Sequence, residues 1–128
     1  MEETIEDLSS GARLLRGPAA DPSGPDGAEI FAALFGIGDA GGIGTFPRSI
    51  DADAVIPPHR HTGPVAACLT AGRMRFGFGP EGVGFHVEVG PGDYLFIPAG
   101  LEHSEDVVSS DAAVMVVAHL GAFDTIDV

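Results

Sequence analysis

At 128 residues the chain has the size of one domain with a single core. Its 19 acidic residues face 6 arginines and no lysine, and a formal charge of -13 repels phosphate backbones and anionic lipid, so neither nucleic acid nor a membrane is an expected partner. Apolar residues at 45% suffice for a folded core, while 19 glycines and 10 prolines imply many turns between short strands, so an all-β fold is expected.

Met1 to Gly27 is polar and rich in breakers, ending in GPAADPSGPDG. Residues 1–27 are therefore expected to form a partly flexible N-terminal arm, with one or two helical turns at most over Glu2 to Leu8 and a linker over Pro18 to Gly27. The acidic start MEETIEDL lacks the basic-then-apolar order of a signal peptide, and no apolar stretch approaches the roughly 20 residues that span a bilayer, so a cytoplasmic location is expected. The core is expected to begin at Ala28 and to occupy residues 28–128.

From there, AEIFAALFGIG, GIGTFPRSI, AVIPPHRH, VAACLTAG, RMRFGFG, VGFHVEVG, DYLFIPAG and AAVMVVAHLG are short apolar runs, almost all separated by turn signals. Eight runs at roughly 8–12 residue spacing fit a sandwich or barrel better than alternating strands and helices. The AEIFAALF run has a helix as its alternative, but it is short and ends in Gly36. Gly36 to Gly41 spells GxGxxG; a dinucleotide fingerprint needs a helix directly after it, and Gly42, Gly44 and Pro47 oppose one, so the segment reads as a turn. Cys68, the single cysteine, reads as a buried thiol. Glu81, Asp106, Asp111, Asp124 and Asp127 sit at or beyond the ends of apolar runs and read as solvated turns and edges.

Three histidines carry the chemistry. Side chains two apart in a strand share a face, so His59 and His61 can reach one interior point. His103 follows the buried-strand run Tyr94 to Ile97 and the tight turn Pro98-Ala-Gly, which could aim it at the same point. Three converging imidazoles suit a divalent transition metal.

These residues resemble the cupins, whose pattern is G(x)5HxH(x)3-4E(x)6G followed by G(x)5PxG(x)2H. Asp53 stands at the first glycine, His59 and His61 are the histidine pair, Gly72 closes the first motif, and Gly92, Pro98, Gly100 and His103 complete the second. The resemblance covers about Ile50 to Leu120 and implies a jelly-roll type β-barrel. The family's glutamate ligand falls at Val65, leaving His59, His61 and His103 as the metal ligands the resemblance implies. Three neutral imidazoles leave a divalent ion at a charge of about plus two, which favours an anionic chelating substrate, with Val65, Ala67, Leu69 and Phe96 as candidate apolar walls.

HxHxGP (His59, His61, Gly63, Pro64), LTxGRM (Leu69, Thr70, Gly72, Arg73, Met74) and a late LG-x-x-x-x-ID ending (Leu120, Gly121, Ile126, Asp127) are similar to the acetylacetone-cleaving and dihydroxyacetophenone-cleaving cupin dioxygenases. That similarity implies iron(II) and oxidative carbon–carbon cleavage of a β-diketone or hydroxyketone, while imidazole ligation by itself also suits zinc, nickel or copper. A non-redox isomerase or cyclase, or a metal-free, sensory ligand-binding barrel, are the other readings. Secondary catalytic candidates are Glu102, His119, Tyr94 and Arg73. His86 and Glu88 are expected to face outward. Cupin barrels often pair, and AEIFAALF offers an apolar edge, so a homodimer is expected.

Overall fold

The computed structural model describes residues 5–8, 11–17, 20–79, 85–121 and 124–127. Two antiparallel sheets face each other. The first combines β1 (Glu6–Asp7), β2 (Arg13–Leu15), β3 (Ile43–Ile50), β5 (Val65–Ala71), β8 (Tyr94–Ile97) and β10 (Ala113–Leu120) in the order β1-β2-β8-β5-β10-β3. The second combines β4 (Val55–His61), β6 (Met74–Phe78), β7 (Phe85–Val89), β9 (His103–Val107) and β11 (Thr125–Asp127) in the order β11-β4-β9-β6-β7. This is the jelly-roll that the cupin resemblance implies and the strand pattern allows, formed by two sheets that do not close on one another as a continuous barrel.

Strand alternation divides the first sheet between two cores. Val65, Leu69, Leu95, Ile97, Met115 and Val117 point inward, toward Met74, Phe76 and Phe78 of the second sheet. Their neighbours Ala66, Cys68, Tyr94, Phe96 and Ala118 point outward and are covered by a helix, α1 (Pro25–Phe35). Covered on both faces, β8 is buried at all four positions, and its sequence YLFI is accordingly an unbroken apolar run.

The AEIFAALF run is thus a helix, correcting the expectation of a strand there. Pro25 occupies its first turn and Gly36 ends it at φ 75°, with the Gly36 N–H reaching Ala33 O. Phe31 and Leu34, three apart, share the face laid on the sheet; Phe31 meets Tyr94 edge-on at 5.1 Å. With that face covered, the run exposes no apolar strand edge, and a homodimer no longer follows from it.

Packed structure also begins before Ala28. Leu14 and Leu15 are buried, β2 pairs with β8 as Arg13↔Phe96, Leu14↔Leu95 and Leu15↔Tyr94, and Glu6–Asp7 is extended rather than helical. Glu2, Pro18 and Glu81 lie outside the described residues. Among the described residues no helix is long and apolar enough to cross a membrane.

Candidate metal centre

β4 and β9 lie side by side in the second sheet, with His59 directly opposite His103. The β4 register shifts between Ile56 and His59, where Pro57 and Pro58 remove two N–H donors from the ladder and turn the strand before the histidine pair. The turn after β8 then docks onto β4: Gly100, at φ 80°, donates its N–H to His61 O at 2.9 Å. Both motifs therefore converge through backbone hydrogen bonds. One donor atom from each of His59, His61 and His103 lies within 4.8 Å of the other two.

Each ring is fixed by its other side. His59 Nδ1 lies 2.9 Å from Pro57 O and His103 Nδ1 lies 3.0 Å from Leu101 O, so both donate there and turn Nε2 toward the cavity. His61 Nδ1 lies 3.1 Å from Thr125 Oγ1. Thr125 belongs to β11, which pairs with β4 as Thr125↔His61 and Asp127↔His59, giving the late ID ending a structural role. Asp127 is exposed as expected of an edge residue, yet it lines the cavity rather than only a solvated turn.

A fourth polar group was not foreseen. Glu105, two residues after His103 on β9, is 3% exposed. Its Oε2 lies 3.2 Å from His59 Nε2 and 4.0 Å from His103 Nε2, while Oε1 lies 3.3 Å from a guanidinium nitrogen of Arg48, reaching over from β3. Burial pushes the Glu105 carboxyl upward, but the bond to His59 and the charge of Arg48 outweigh it and hold the group below its usual range. The same bond to Glu105 raises His59. Burial lowers His103, and burial together with the neighbouring imidazoles of His103 and His59 takes His61 down to about 4.

The histidines open into a cavity of about 350 Å³. Its walls are Val65, Ala67 and Ile97 from the first sheet, Met115 and Val117 beside them, and Phe76 opposite. Two of the expected wall residues are placed elsewhere: Leu69 is in the inner core and Phe96 faces α1.

The secondary candidates do not line this cavity. Tyr94 is on the outer face under α1, its hydroxyl donating to Ala20 O at 3.0 Å. Arg73 faces Glu88 at 3.8 Å. Glu102 lies in the turn before β9, where its backbone oxygen accepts from Gly79. His119 is near the end of β10, with Nδ1 2.8 Å from Gly121 O. His86 and Glu88 are exposed, and Cys68 is a buried free thiol, both as expected. Gly36 to Gly41 is the end of α1 followed by a short 3-10 turn whose Asp39 caps the Gly41 N–H, not a phosphate loop.

The cupin domain family model matches residues 49–119. Acireductone dioxygenases of Trichormus variabilis and of a Nostoc species are each 48% identical over 46 residues, covering 35% of this chain and 25% of theirs. The chain thus matches only about a quarter of the length of these curated relatives. Among solved structures, oxalate decarboxylase from Bacillus subtilis superposes with a TM-score of 0.58 at 25% identity, over 68% of this chain and 24% of that one. An oxalate oxidase superposes at 0.59 and 22% identity, over 76% and 51%, a likeness in fold.

Proposed function

The chain belongs to the cupin family, and from that premise we propose that it is a metal-dependent enzyme, a non-haem dioxygenase acting on a small enolisable or chelating oxygen substrate such as a β-diketone or hydroxyketone. The observation that carries this reading is the set of three imidazole donors within 4.8 Å at the polar end of an apolar cavity. The donor set fits a transition metal. Two of the rings donate Nδ1–H to backbone carbonyls, the outer bond that fixes a ligating imidazole, and burial keeps His61 and His103 in the neutral form that ligation requires.

A divalent metal bound there supplies Lewis acidity toward substrate oxygen and, with iron(II), reactivity toward dioxygen. The chain supplies the rest. Val65, Ala67, Ile97, Met115 and Val117 exclude water and leave room for a substrate of small-metabolite size. Phe46, Thr125 and Asp127, all exposed, border the opening. The HxHxGP, LTxGRM and late ID similarity favours carbon–carbon cleavage, and the short match to acireductone dioxygenases is consistent with dioxygen chemistry.

The test is metal analysis followed by oxygen-electrode assays of protein reconstituted with iron(II), using a panel of β-diketones and hydroxyketones. Oxygen uptake that disappears in His59→Ala and His103→Ala supports the proposal. Turnover with zinc in the absence of oxygen would replace it by Lewis-acid isomerisation, and a protein that takes up no metal would leave only a ligand-binding barrel.

A further inference from the structure

Glu105 is a buried carboxylate set among the imidazoles of the candidate metal centre. A buried carboxylate is costly unless both oxygens are compensated. Arg48 compensates Oε1 at 3.3 Å. Oε2 faces His59 Nε2 at 3.2 Å and His103 Nε2 at 4.0 Å. Both imidazoles place their Nδ1–H on backbone carbonyl oxygens, which accept only, so in the neutral rings both Nε2 atoms are also acceptors. In the metal-free protein a proton is shared between His59 Nε2 and Glu105 Oε2, and His103 Nε2 stands beside that pair. A proton can bridge only one pair of these atoms, whereas a metal ion satisfies all three. The 3.2 Å between Oε2 and His59 Nε2 is close to the roughly 3 Å between donors at right angles about a metal with bonds of about 2.1 Å, and the 4.0 Å to His103 Nε2 corresponds to a wider angle at the metal.

Resting on the metal-dependent reading above, we propose that Glu105 is the carboxylate ligand of this centre, delivered by β9 instead of the motif position occupied here by Val65, with Arg48 as the positioning residue that turns Oε2 to the metal. The alternation that makes His59 and His61 a pair on β4 makes His103 and Glu105 a pair on β9, so two adjacent strands each contribute two donors. Val65, which faces the same cavity from the opposite sheet, is then free to serve as wall. The carboxylate lowers the charge of a bound divalent ion from about plus two to about plus one, and a mixed imidazole and carboxylate set accommodates manganese and iron(II) as well as softer ions. Selection of a strongly anionic substrate, expected for three neutral ligands alone, weakens accordingly.

The experiment uses the full chain and three variants, Glu105→Gln, Arg48→Met and His59→Ala, titrated with manganese(II) against a chelator and, separately, with cobalt(II) followed by its visible d–d bands. Expected are a loss of at least about 100-fold in manganese affinity and shifted cobalt bands for Glu105→Gln, with about 10-fold weaker binding and little-changed bands for Arg48→Met. Melting of the metal-free proteins controls for folding: a purely structural Glu105 would lower the melting temperature of the apoprotein and leave the cobalt spectrum as it was. Superimposable cobalt spectra with manganese affinity within about threefold of wild type would remove Glu105 from the ligand set while leaving the three-histidine centre standing. Wild-type protein that binds neither ion would overturn both readings.

Discussion

Asp53 is the one non-glycine residue with φ in the left-handed region among the described residues, at 61°. It stands at the first glycine of the motif, in a backbone conformation that a glycine adopts freely and an aspartate tolerates less well. Asp53 is exposed, so Asp53→Gly removes strain without removing packing; a gain of about 0.5–1 kcal/mol is expected in urea unfolding, after the added chain entropy of glycine is allowed for. Gly72 is stricter: at φ 77° an added Cβ would meet Ala112 O at 2.7 Å. Cys68 gives a second prediction. Burial pushes its thiol from the usual 9.0 up to about 11, so below pH 9 it is protonated in both folded and unfolded chains. Between 9 and 11 the unfolded chain ionises first and the native state does not, and this residue makes stability fall as pH rises through that window. Iodoacetamide at pH 8 should leave the native thiol unmodified and label it fully in urea; rapid native labelling would contradict the burial. The histidines were readable because alternation and a tight turn suffice to bring them together. Glu105 was not, because its inward position depends on β9 starting at His103, and HSEDV carries no apolar signal of a strand.

At the scale of elements, the strands that could be read from sequence were the longer apolar runs; β2, with only Leu14 and Leu15 as its apolar residues inside a polar, breaker-rich segment, was not. β9 escaped because its inward residues include His103 and Glu105, and β11 because all three of its residues are exposed. α1 was ambiguous for the opposite reason: AEIFAALF is apolar at both strand and helix spacing, and what decides is Pro25 at its start, Gly36 at its end and an outer sheet face in need of cover. That face explains Tyr94. Its ring packs under Phe31 and its hydroxyl ties β8 to the Ala20 carbonyl, so Tyr94 anchors the N-terminal segment and has no route to the cavity. Tyr94→Phe should cost about 1 kcal/mol in thermal or urea unfolding and leave metal affinity unchanged. A loss of turnover at unchanged stability would instead return Tyr94 to the chemistry.

The whole molecule separates polar chemistry from shape. All three histidines and Glu105 come from the second sheet, whereas the first sheet faces them with Val65, Ala67, Ile97, Met115 and Val117, and Arg48 alone reaches over to the polar group. Ligand geometry and cavity size should therefore be separable by mutation, because the donors and the cavity walls named here are different residues on different sheets. Ala67 is the sharpest place to test this. It lies on β5, between β8 and β10, and its side chain faces the cavity without being part of the outer core under α1. Ala67→Phe would fill much of the roughly 350 Å³ with a ring directed into the cavity. Bound metal per chain and the cobalt spectrum should match wild type, while the KM for the best diketone should rise at least about tenfold, as expected for the loss of a binding volume of this size. If Ala67→Phe also loses its metal, the two sheets are coupled through the cavity, and the first sheet does more than shape the space above the donors.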